Sequence, residues 1–216
     1  MMEQMLSQIG KTFPLQELDA GEFKHLKVNG MKFTIRAFEA EGLGHVSTMQ
    51  AKGFFGLMQM DTLIINPKYV DLPLLSYDRV LAAGNDTLIF ELYDTQESPC
   101  DLSAVDEVKQ NAATLPTHDL GEHWYDPIKL PQSLSVKGKK PHRIAFDQTA
   151  KDYLSAFLHS AAQAAPCNPA AKMDKASVYV NGLLTHGGPS TDVFKKALGD
   201  EKTTALFRHI LFGTKI

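Results

Sequence analysis

Cysteine is scarce: the 216 residues include two, Cys100 and Cys167. Two thiols cannot build a disulfide framework, nor a four-thiolate metal or iron–sulfur site. Long apolar runs are missing as well. No stretch reaches the roughly 18 residues needed to cross a bilayer, so a membrane protein is not expected. Met1-Met2-Glu3-Gln4-Met5 has neither the basic nor the apolar segment of a secretory leader, and a reducing, cytoplasmic setting is the expectation. A positive charge excess is absent too. Twenty-two Lys and Arg face 25 Asp and Glu, for a net charge of −3, which argues against a dedicated nucleic-acid binder. Walker A, Gly-x-Gly-x-x-Gly, His-Glu-x-x-His and Gly-x-Ser-x-Gly motifs do not occur. What remains is a chain long enough for one sizeable core and short for two. It reads as a single domain over residues 1–216 with no cofactor signature of its own.

Strand patterns fill the first half. Residues 3–10 suggest a short amphipathic helix, and from Phe23 to Asp94 the pattern reads as strands. Lys24–Val28 and Met31–Phe38 flank Asn29-Gly30, a hairpin turn. Phe54–Ile65 is a long, largely apolar run closed by Asn66-Pro67; Leu74–Ala82 follows Asp71-Leu72-Pro73, and Thr87–Tyr93 follows Gly84-Asn85-Asp86. Short, turn-rich connections favour an antiparallel meander. The second half turns helical: 101–114 with Ser103 as cap, 147–164, 176–184, 192–198 and 200–212, with a further strand at 130–136. Strands followed by helices predict an α+β domain with helices packed on an antiparallel sheet.

Within this frame two carboxylates stand out. If Ile65 pairs with Leu74 across the Asn66–Pro73 loop, Asp61 falls opposite Asp78 on one face, flanked by Leu57, Leu63, Leu74 and Val80. Two like charges so placed cannot both ionise cheaply. One carboxyl would stay protonated near neutral pH and could act as a general acid. The plain alternative is one aspartate on a solvent-facing strand and the other at a strand end. A one-residue slip in register separates these outcomes. The histidines show no metal-ligand spacing, and neither Ser76 nor Ser133 sits in a nucleophile motif. Lys129–Arg143 contains Lys129, Lys137, Lys139, Lys140, His142 and Arg143 and no acidic residue. This is either a patch that steers an acidic partner or a solvated turn around Gly138.

Asn66–Val80 resembles the ferredoxin-dependent bilin reductases. In that family a proline-containing loop leads into Asp-Leu-Pro and then a strand carrying an aspartate five residues after the proline. Asp71-Leu72-Pro73 and Asp78 match it. Downstream, Pro189, Phe194, Gly199, Thr203 and Leu211-Phe212 resemble the family's closing helix pair. The resemblance implies a three-layer α/β/α sandwich with helices mainly in the C-terminal half. It implies a linear tetrapyrrole held between sheet and C-terminal helices, near Leu63, Leu74, Val80, Pro189 and Asp192. Electrons would arrive singly from reduced ferredoxin, with no bound metal or organic cofactor, and Asp78 would protonate the substrate. Asp61 would be its partner, and Lys137, Lys139, Lys140 and Arg143 the ferredoxin dock. Departures are specific. Asp61 stands where several members carry histidine or asparagine. The glutamate of the phycocyanobilin-forming branch falls near Met49, and Gly188 and Thr191 replace an aspartate and an arginine around the C-terminal proline. One retained proton donor implies a two-electron reduction. The lost donors support a second reading, a protein that carries the tetrapyrrole without reducing it.

Overall fold

The computed structural model describes residues 1–188 and 190–214. Helix α1 (Met2–Thr12) buries Met2, Met5, Leu6 and Ile9 on one stripe. The short strands β1 (Leu15–Leu18) and β2 (His25–Val28) both pair with β3 (Met31–Ala40), β1 along its second half and β2 along its first. Then β4 (Gly44–Gly53), β5 (Met58–Pro67), β6 (Leu74–Ala82) and β7 (Asn85–Tyr93) continue the meander, and β8 (Leu134–Lys139) forms the far edge. Among the described residues this is one antiparallel eight-stranded sheet, ordered β1-β3-β4-β5-β6-β7-β8 with β2 beside β3. With α1 on one face lie α2 (Ser103–Asn111) and α3 (Arg143–Gln163). The other face is covered by α4 (Pro169–His186), α5 (Thr191–Leu198) and α6 (Asp200–Ala205), which runs into a π-helical turn at Leu206–Leu211. The α+β sandwich and its antiparallel sheet therefore agree with the sequence pattern. Among the described residues no helix is long and apolar enough to cross a membrane.

Strand alternation sends each residue to one of two cores. Leu63, Ile65, Leu75, Tyr77, Leu88 and Phe90 face α3, where Phe90 stacks on Tyr153 with centroids 4.1 Å apart. Met49, Ile64, Leu74 and Tyr93 face α4 and the π turn. Fully burying each such large side chain contributes about 1.5–3 kcal/mol.

The register of β5 on β6 differs from the sequence expectation by one residue. Ile65 pairs with Leu75, not Leu74, so Thr62 stands opposite Asp78 and Asp61 opposite Arg79. The cause lies in the loop. The Leu74 amide donates to Thr95 Oγ1 at 3.1 Å and Leu74 pairs with Tyr93 of β7, while β6 enters its ladder with β5 one residue later, at Leu75. Because side chains alternate, this slip puts Asp61 and Asp78 on opposite faces. Local differences have similar causes. Ser103 is the first residue of α2 and not its cap, which is Leu102; Asp101, one residue further out, accepts the Ser103 amide hydrogen at 2.8 Å. The run at 130–136 becomes strand only from Leu134, because Pro131 brings no amide hydrogen. Helix α4 begins seven residues before Ala176, at Pro169, where Asn168 Oδ1 accepts from the Ala170 and Ala171 amides.

Two clasps fasten the C-terminal helices to the sheet face they cover. In the first, Asp71 of the Asp-Leu-Pro sequence accepts the amides of Glu97 and Ser98, both at 2.8 Å. Fully buried Lys172 of α4 donates to Leu72 O at 2.5 Å and Thr95 O at 2.7 Å, and lies 3.5 Å from Asp71. In the second, His45, Ser47 and Asn66 donate to the carbonyls of Ile210, Leu211 and Phe212 at 2.8, 2.6 and 2.7 Å. A carbonyl only accepts, so His45 Nε2 carries the proton. Gly213, at φ 60°, completes this clasp, since a Cβ there would lie 2.4 Å from the His45 ring.

Burial holds the His45 pKa down to about 4, against 6.5 for a free imidazole. Between those values the unfolded chain binds a proton that the folded chain refuses, so His45 removes stability as pH falls from 6.5 toward 4. His45→Gln, which retains a donor for Ile210, is therefore expected to lose less melting temperature than the parent over that interval. Equal losses in thermal melts across pH 4–7 would contradict this.

Candidate functional site

The cavity-side face of β4–β7 is the floor of a cavity of about 220 Å³ roofed by the C-terminal helices. Met49, Met60, Ile64, Val80 and Ile89 form the apolar part of this floor, and Asp78, Thr62, Ser76 and Glu91 its polar part. Tyr179 and Leu183 of α4, with Phe207 and Phe212, form the roof, and Leu120, His123 and Tyr125 close one side. A cluster of rings stiffens that side. Tyr93 stacks on Tyr179 at 4.2 Å, Tyr125 meets Tyr93 edge-on at 5.5 Å, and Trp124 lies 5.3 Å from Tyr125. Trp124 packs so closely on α4 that a Cβ at Gly182 would come within 2.1 Å of its ring.

Asp78 receives the Thr62 hydroxyl at 2.5 Å from the directly opposed residue of β5. Burial pushes its pKa up to about 6; the hydroxyls of Thr62 and Ser76 pull it down and the nearby charge of Glu91 pushes it up. The carboxyl is thus a proton donor poised close to neutrality. Glu91 pairs with Ser76 across β6 and β7, which brings it to the same floor. Its Oε2 accepts from Tyr93 OH at 2.6 Å, while Lys129 Nζ stands 3.8 Å from Oε1, which has no hydrogen bond among the described residues. His123 contributes a second uncommitted group: its Nδ1 is buried without a partner there, and its ring lies 4.8 Å from that of Tyr125. Burial raises the pKa values of Tyr93, Tyr125 and Tyr179, which keeps these phenols protonated as donors. The arrangement can hold a flat, largely apolar molecule against a carboxyl that gives and retakes a proton.

The residues singled out in sequence are scattered by the structure. Asp78 and Val80 line the cavity. Leu74 lies on the same face but is fully buried in the core beside it. Leu63 is turned the other way, into the core under α3, and so does not face the cavity. Asp61 shares that opposite face, where its carboxylate accepts from Gln50 Nε2 at 2.9 Å, so it is no partner of Asp78. Asp192 is in the first turn of α5; its neighbours Ser190 and Thr191 reach the cavity lining, and it does not. Pro189 lies outside the described residues. Lys137, Lys139 and Lys140 are exposed along and just beyond β8, while Arg143 Nε stands 3.5 Å from Asp86 within an ion-pair group that includes Arg79 and Asp147. Glu91 is absent from the sequence expectation, which places the turn at Gly84-Asn85-Asp86 where the structure has β7 already begun at Asn85. A two-residue turn at Ala83-Gly84 sets the β6–β7 register and places Glu91 beside Asp78.

No protein-family model and no curated protein sequence matches the chain. Among solved structures the chain is similar to phytochromobilin synthase from tomato in complex with biliverdin, with a TM-score of 0.82 and 15% identity. The match covers 99% of this chain and 82% of that one. At that identity the likeness establishes the fold.

Proposed function

We propose that this protein reduces a linear tetrapyrrole, biliverdin or a similar bilin, with electrons taken singly from reduced ferredoxin. The observation that carries the reading is a carboxyl of raised pKa, Asp78, on a largely apolar cavity floor between sheet and C-terminal helices. The fold is shared with a synthase whose structure holds biliverdin, and the Asp-Leu-Pro block resembles the bilin reductases. On this reading Asp78 protonates the bound bilin. The cation formed accepts an electron more readily than the neutral molecule, and the Asp78 carboxylate stays beside it as counter-charge. Two electrons and two protons saturate one double bond. Asp78 supplies the first proton, and the second comes from solvent or through Glu91. Ferredoxin would meet the exposed Lys137, Lys139 and Lys140, and no resident cofactor is needed because the electrons arrive from outside.

A carrier that binds bilin without reducing it is the second reading. It is favoured by Thr62, a hydroxyl with no acid function, at the position facing Asp78.

Titration with biliverdin tests the binding step common to both. A saturable change in bilin absorbance at one equivalent per chain is expected, and its absence would overturn both. The role of Asp78 has its own check. Thr62→Val removes a donor that favours the ionised carboxylate, so the midpoint of the pH–rate profile should move to higher pH. An unmoved or lowered midpoint would exclude Asp78 as the acid.

A further inference from the structure

At the end of the sheet where β2 turns into β3 and β4 into β5 lies a surface with no part in the cavity's chemistry. Lys27 stands directly opposite Lys32, and Lys32 directly opposite Lys52, so three lysines on adjacent strands share one face in a single row. Like charges directly opposed destabilise a sheet. All three are exposed, and among the described residues none forms an ion pair. The next row on that face carries Asp61, which accepts the Gln50 amide.

Beside the lysine row the β4–β5 connection projects three apolar side chains: Phe54, Phe55 and Leu57 are 58%, 108% and 75% exposed. Phe54 and Phe55 are both left-handed, with φ of 51° and 55°, a region that disfavours bulky side chains. Neighbouring hairpins turn through Asn29-Gly30 and Ala83-Gly84, so the topology does not call for an aromatic pair here. A groove lined by Lys27, Lys32, Lys52, Phe54 and Phe55 joins the two features.

We propose that this end of the sheet docks on a bilayer surface bearing anionic lipid. Phe54, Phe55 and Leu57 enter the boundary between headgroups and acyl chains, while the lysine row meets headgroup phosphates. A fluid interface receives a protruding apolar tip without a preformed pocket, and lysine stems reach along it with their ammonium groups in water. Apolar insertion or a polybasic patch alone binds weakly; stable peripheral attachment uses both, and both are present side by side. Docking of this kind is independent of what the cavity binds.

Cosedimentation of the full chain with vesicles of phosphatidylcholine, alone or with phosphatidylglycerol, tests the proposal. At low salt the chain should pellet with the phosphatidylglycerol vesicles, far less with phosphatidylcholine alone, and be released by added salt. Phe54→Ser/Phe55→Ser and Lys27→Gln/Lys32→Gln/Lys52→Gln should each weaken that binding by about tenfold or more. The altered side chains are exposed, so an unchanged melting temperature shows that the variants remain folded. Equal pelleting with both vesicles, or variants that pellet like the parent, would overturn the proposal. Retention on immobilised polyglutamate with no vesicle binding would overturn it in favour of an acidic protein partner.

Discussion

Asp78→Asn is expected to leave bilin binding in place and to lower turnover by about 10²–10⁴-fold, the usual contribution of a positioned general acid. Asparagine keeps the shape of the side chain and an oxygen that accepts from Thr62, but it has no proton of comparable acidity to give. Bilin should then bind and stall unreduced or as a radical, a state that optical and spin-resonance spectra report. The same substitution should stabilise the fold at neutral pH. The folded-state pKa of Asp78, about 6, lies above the ordinary value of 3.8, so the folded chain binds more protons than the unfolded one between those values. Stability from this group is therefore full at low pH and lost as pH rises through about 6, a penalty on the order of 3 kcal/mol at pH 7. A slower, more stable variant is the mark of an acid held in an unfavourable place for its function. Wild-type turnover by Asp78→Asn would remove Asp78 from the mechanism. The sign is opposite to that of His45 over much of the same interval, so each substitution should expose the pH dependence left by the other.

Lys172→Met should lower stability by about 3–5 kcal/mol, as expected when one partner of a buried charge pair is removed. For a chain of this size that corresponds to a melting temperature roughly 6–20 °C lower. The change strips two buried carbonyls, Leu72 O and Thr95 O, of their donor and leaves Asp71 without its neighbouring ammonium. Since α4 also carries Tyr179 and Leu183 over the cavity, bilin affinity should fall with stability. Adding Asp71→Asn neutralises the stranded carboxylate, so the double variant should lose less than the sum of the single losses, as groups in contact do. Strict additivity in thermal or denaturant unfolding would contradict the clasp.

The Asp-Leu-Pro sequence pointed to the right strand, yet Asp71 secures the 95–98 segment and α4 while Asp78, further along, meets the cavity. Strands with clear turn signals were legible: β6 runs over Leu74–Ala82, directly after the Asp71-Leu72-Pro73 signal. β4 was not, because buried His45, Ser47 and Thr48 break the alternation that would mark it. Register followed the same logic. The tight Ala83-Gly84 turn fixes β6 on β7, whereas the long Asn66–Pro73 loop leaves β5 on β6 to tertiary contacts at Thr95. That one-residue freedom separated Asp61 from Asp78. The roof and wall were out of reach for another reason. His123, Tyr125 and Tyr179 come from distant segments brought together by packing, and no local period announces such a meeting.

A bilin held on the Asp78 floor should be reduced there. Anaerobic mixing of the bilin-loaded protein with reduced ferredoxin, followed by absorbance, tests it most directly. The biliverdin bands should decay through a transient radical to a product with a shorter conjugated system. Bound biliverdin whose spectrum stays unchanged in the presence of reduced ferredoxin would contradict it.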